Sequence, residues 1–216
     1  MASIINVSQL ELRRNLGILG ITLPIVLVMG NKFHIENSLS AFYYTNMSVY
    51  FTGVLFAFGM FLFSYKGYLK EKEKFSDNLL TNMAGVLAIM TALIPAKCYS
   101  QECPYANSHH SQLLGGIHFG SAAIFFLITA WMSYFRFTKR DDNIEDPEII
   151  QLKNKRNRIY KFCGIGILVT LVLLALAFVF DPDLTGFDTF LGETILLIFF
   201  GIAWLVKAKS LRKLGL

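Results

Sequence analysis

Six apolar runs, five of them about the length of a bilayer crossing and the first shorter, limit what this chain can fold into. They cover residues 16–30, 47–65, 78–96, 113–135, 159–180 and 187–206. A helix needs about 20 mostly apolar residues, at ~1.5 Å rise each, to cross the hydrocarbon core. Lipid cannot hydrogen-bond an open backbone, so such runs must be helical. The expected fold is all-α: one transmembrane domain over residues 1–216, a bundle of six helices. Composition agrees. The chain is 54% hydrophobic and 16% charged, whereas a soluble domain carries about 25% charged residues. No stretch is left for a sizeable soluble domain.

The connectors set the expected topology. Of 20 Lys and Arg, 18 lie before run one (Arg13, Arg14), after run two, after run four or after run six. Only Lys32 and Lys97 fall on the other side. The positive-inside rule then places both termini in the cytoplasm, with six spans between them. The net charge of +5 is explained by this distribution, and no nucleic-acid partner is expected. Run one is short for a span, and Arg13–Arg14 ahead of it also fit a secretory signal peptide. A retained first helix is the expectation. Both readings put Asn31 outside.

Within the last run, FDTFLGETILLIFFGIAWLV, Glu193 is the first functional suspect. A carboxylate inside a span costs a few kcal/mol, roughly, even on mild insertion scales. Glu193 lies six residues past Phe187, roughly 9 Å deep at helical rise. His118 lies five past Leu113, roughly 7–8 Å deep. Both runs descend from the outside, so the two side chains share a depth. His118 heads a helical-spacing stripe of Ala122, Phe125, Thr129 and Ser133, with Ser121 beside it. Ser48, Thr52 and Gly59 form a similar face on run two. Small and hydroxyl residues mark faces packed against other helices. One reading is a polar pocket where Glu193 and His118 bind a ligand or handle protons, with Tyr43, Tyr44 and Lys97 at its rim. The other is structural, with the same pair specifying packing. The segment 31–46 reads as an outer loop or interfacial segment.

The loop CYSQECPYANSHH suggests a disulfide between Cys98 and Cys103, which face an oxidising compartment in this topology. A metal site with His109 and His110 is the alternative, but adjacent histidines do not match the usual ligand pairing. No metal and no cofactor is expected. Cys163 reads as a small core residue. The basic segment KNKRNRIYK (153–161) reads as topogenic charge, with contact to anionic headgroups as the alternative. IFFLITAW (124–131) and IFFGIAW (198–204) are similar, which chance accounts for in a chain with 20 Phe.

There is no phosphate-binding glycine loop, no HExxH and no GxSxG. Intramembrane metal hydrolases of the ceramidase and adiponectin-receptor type carry paired histidines on a late helix. Run six has none, so that resemblance is not supported. The stretches SLSAFYYT (38–45), GVLFAFGMFLFSYKGY (53–68), KNKRNRIYKFCG (153–164) and ETILLIFFGIAWLVK (193–207) resemble a group of small bacterial multi-span proteins of unknown function. That resemblance implies a bacterial inner membrane and the same six-helix plan, and it brings no activity, substrate or catalytic residue. The expected function is binding or transport of a small molecule, lipid or ion through a polar pocket in the outer half. The alternatives are an intramembrane acid–base or metal-dependent enzyme and a non-catalytic subunit or sensor. The expected partners are the bilayer and a small-molecule or lipid ligand, and the sequence is compatible with an oligomer.

Overall fold

A computed structural model describes residues 2–65, 67, 76–97, 109–139, 146–180 and 187–209. Six α-helices account for most of them: α1 Ala2–Gly30, α2 Ser48–Ser64, α3 Asp77–Leu93, α4 His109–Trp131, α5 Pro147–Phe180 and α6 Phe187–Lys207. A short 3-10 turn, Ser40–Tyr44, sits between α1 and α2, and α4 runs on into a π-helical end, Met132–Arg136.

Four helical segments are long and apolar enough to cross a membrane: Gln9–Gly30, Gln112–Arg136, Pro147–Phe180 and Thr189–Lys207. α2 and α3 have 17 residues each. At ~1.5 Å per residue each rises about 25 Å, short of the ~30 Å hydrocarbon core. Two helices outrun their apolar stretches. α1 begins at Ala2, and α5 begins at Pro147, twelve residues before Ile159. Local chemistry explains the early start of α5. Asp146 accepts the Glu148 N–H at 2.9 Å, and Pro147 occupies the first helical position, where its missing N–H costs nothing. Ser76 caps α3 in the same way, accepting from the Leu79 N–H at 3.1 Å.

The helices pack in a ring. Each lies against its sequence neighbours, and α6 closes the ring on α1, whereas α4 and α6 barely meet. Small residues permit the tightest crossings. A Cβ on Gly17 of α1 would lie 2.8 Å from the Gly201 carbonyl oxygen of α6, and one on Gly59 of α2 would lie 2.8 Å from that of Gly85 on α3. Without hydrophobic pressure between helices in lipid, close backbone approach of this kind supplies much of the association.

Three layers fill the ring. Phe58, Phe125 and Phe200 meet near its middle, with ring centroids 5.3 and 5.6 Å apart. At the end carrying most of the Lys and Arg, Tyr65, Trp204, Phe137 and Tyr160 stack edge to face in sequence. Beside them Asp77 and Arg136, both buried, form an ion pair. The opposite end holds Glu193 and His118. Outside the ring, Phe56, Leu127, Val172 and Leu173 are exposed, the inside-out pattern expected of a surface in contact with acyl chains.

Candidate functional site

The Ser40–Tyr44 turn brings Glu193 and His118 together. Leu39 and Phe42 are buried, 3% and 0% exposed, and they anchor the turn in the mouth of the ring, with Phe42 against Phe190 of α6. This seats Ser40 between α4 and α6. Its hydroxyl lies 2.9 Å from Nε2 of His118. Glu193 accepts the Leu39 N–H at 2.5 Å, and the Ser40 backbone and hydroxyl lie beside this carboxylate. The other face of the imidazole is fixed by Nδ1, 2.7 Å from the Ile94 carbonyl at the end of α3.

These partners constrain the protons. A carbonyl only accepts, so Nδ1 of His118 carries a proton. Nε2 then either accepts the Ser40 O–H or, in the imidazolium, donates to Ser40 Oγ. In the second case the Ser40 O–H is released from the imidazole and is free to turn toward the neighbouring Glu193 carboxylate. The turn therefore places one rotatable hydroxyl beside both titratable groups.

His118 is 3% exposed, and Ser121, Phe125, Thr129 and Ser133 of its stripe are buried with it. Ser133 donates to the Tyr160 carbonyl of α5 at 2.8 Å. On α2, Gly59 is buried, while Ser48 and Thr52 are half-buried. Four residues deeper than His118 and Glu193, Ala122 and Leu197 help wall a cavity of about 40 Å³ together with Ala88 and Phe125. Its one hydroxyl, Thr91, already donates to the Leu87 carbonyl at 2.8 Å. A void so lined holds no water, because water needs polar partners. The polar site thus rests on an apolar floor.

The expected rim residues surround the site without forming its centre. Tyr44 donates to the Ala96 carbonyl at 2.7 Å and so ties the turn to the end of α3. Burial, then the neighbouring Tyr43 phenol, push the Tyr44 hydroxyl above its ordinary value and keep it a donor. Tyr43 packs edge-on against Tyr44 at 5.2 Å. Lys97 is exposed, with its backbone against Gly115 of α4. Cys98 and Cys103 lie outside the described residues, and His109 and His110 fall in the first turn of α4, where only the backbone is described. Cys163 is buried in the core.

Two participants in this site are not visible in the sequence. Ser40 lies in a polar, aromatic connector, and the Ile94 carbonyl is a backbone group, silent in any side-chain pattern. At the other end of the bundle, Asp77 and Arg136 stand 59 residues apart, so no local spacing links them. The one available signal for Ser40 was the Leu39–Phe42 spacing, which buries one face of a turn. No family model matches the chain, and no curated protein and no solved structure shows significant similarity to it.

Proposed function

We propose that this protein is a six-span membrane protein with both termini cytoplasmic, which binds and exchanges a proton together with a small polar ligand in the outer half of its bundle. Eighteen of 20 Lys and Arg on one side support the orientation. The observation that carries the site is one short turn that engages both groups: the Ser40 hydroxyl lies 2.9 Å from His118 Nε2, and the adjoining Leu39 N–H donates to Glu193 at 2.5 Å.

In this reading Ser40 is a one-hydroxyl proton wire. From imidazolium and carboxylate, the Ser40 proton moves to Glu193 while the Nε2 proton moves to Ser40. The products are a neutral imidazole, a hydroxyl and a carboxylic acid, so atoms and charge balance. Protonation releases the carboxylate's hold on the Leu39 and Ser40 N–H groups, because a carboxylic acid is the weaker acceptor. Those N–H groups then become available to an anionic or carbonyl-bearing ligand. Ligand entry and protonation would thereby be coupled at one place.

The test is titration of purified protein by imidazole ¹⁵N NMR and by the infrared carboxyl band, in wild type and Ser40→Ala. A relay predicts that the His118 and Glu193 transitions shift together in wild type and separate in the variant. Identical His118 titration in both proteins would sink it.

A second reading takes the same hydrogen bond as a nucleophile–base pair, with Ser40 activated by His118 and the ring oriented by Ile94. The Leu39 N–H, a natural donor to an oxyanion, is occupied by Glu193, so this reading requires Glu193 to move. Labelling of Ser40 by a fluorophosphonate, abolished by His118→Gln, would favour it over the relay.

A further inference from the structure

We propose that the basic end of the bundle holds a site for a phosphate-bearing anion, formed by Arg13 of α1, Lys153 and Arg156 of α5 and Lys207 of α6. The four come from three helices and gather around one row of aromatic rings. The Arg13 guanidinium carbon stands 5.1 Å over Tyr65, Lys153 Nζ 5.6 Å over Tyr160 and Lys207 Nζ 4.8 Å over Phe137. Lys153 also donates to the Phe137 carbonyl at 2.8 Å, which fixes its head. All four are half-buried, unlike the freely solvated Arg158 and Lys155 of the same segment.

The cluster is unbalanced. The acid that acts on Lys207 is Asp77, and Asp77 is already paired with Arg136. Lys207 instead has Lys153, Arg13 and Lys209 as positive neighbours, and Lys153 has Arg156 and Lys209. Among the described residues no carboxylate forms an ion pair with any of the four. Nε of Arg13 and Nε of Arg156 are buried and lack a hydrogen-bond partner. Like charges drawn together out of water, with orphaned guanidinium donors, are unfavourable unless an anion completes them. Topogenic charge alone needs only proximity to the membrane, not half-burial on an aromatic row.

A tetrahedral phosphate suits this donor set: guanidinium forks bind its oxygens in pairs and ammonium groups act as point charges. The cluster lies at the interfacial end of the bundle, where the phosphate of an anionic lipid and a free phosphate are both within reach.

The test is native mass spectrometry of detergent-purified protein with phosphatidylglycerol and, as a neutral-headgroup control, phosphatidylcholine. Wild type should bind phosphatidylglycerol at least about ten-fold more tightly. Removing each charge should cost about five-fold, so Arg13→Gln with Arg156→Gln should lose most of the preference. Arg158→Gln, a change of the same charge on the same segment, should keep it. Equal preference in wild type and the double variant, or an equal loss in Arg158→Gln, overturns the site. If millimolar inorganic phosphate displaces phosphatidylglycerol, the site takes free phosphate. If it does not, the site takes the lipid headgroup. Should the double variant fail to fold, amide exchange on wild type decides. Slower exchange around residues 9–16 and 150–158 with phosphatidylglycerol and not phosphatidylcholine supports the site, and unchanged exchange overturns it.

Discussion

The Ser40 hydroxyl lies 2.9 Å from Nε2 of His118, although 78 residues separate them in the chain. With the adjoining Leu39 N–H donating to Glu193 at 2.5 Å, two helices that barely touch are joined by a short turn from a third region. The matched depth of Glu193 and His118 is therefore realised through an intermediary.

This arrangement predicts a conditional coupling. A double-mutant cycle of Glu193→Gln with His118→Gln, measured by unfolding in detergent, should show an interaction of about 0.5–3 kcal/mol. In a Ser40→Ala background the interaction should fall toward zero. Persistent coupling without the hydroxyl would mean direct contact between the two.

The Asp77–Arg136 pair should respond differently to single and double substitution. Arg136→Met leaves a buried carboxylate without this partner and should destabilise by about 3–5 kcal/mol. Asp77→Leu combined with Arg136→Met removes both charges and should cost less than either change alone. A double variant as unstable as the sum of the singles would show that the two residues act separately.

Gly17 and Gly53 offer a matched contrast. A Cβ at Gly17 would meet the Gly201 carbonyl at 2.8 Å, whereas one at Gly53 meets nothing within 4 Å. Gly17→Ala should lower stability by about 1–3 kcal/mol through overpacking of α1 on α6. Gly53→Ala should be neutral or raise it by up to about 1 kcal/mol, because alanine favours the helix. Equal effects would argue against a close α1–α6 crossing.

Orientation can be read by labelling intact cells with a membrane-impermeant maleimide, after replacing Cys98 and Cys103 by Ser. Asn37 and Asn154 are both exposed and lie at opposite ends of the bundle. Asn37→Cys should react and Asn154→Cys should not. Reaction at Asn154 would reverse the proposed topology.

What the sequence determined by itself was helical class, helices long and apolar enough to cross a membrane, and the gathering of Lys and Arg in particular connectors. Each follows from properties summed over many neighbouring residues: run length, composition, and Lys/Arg counts per connector. Glu193 and His118 were legible as candidates for the same reason, since an ionisable group stands out against an apolar run. The tertiary structure alone decided what these residues touch. Ser40 and the Ile94 carbonyl meet at His118, and Asp77 meets Arg136 at the other end, only when the helices and the Ser40–Tyr44 turn pack, and residues up to 154 positions apart share one hydrogen bond. Such meetings depend on helix order around the ring and on which small residues permit close crossings. A one-dimensional pattern carries the period of each helix but not the rotation of one helix against the next.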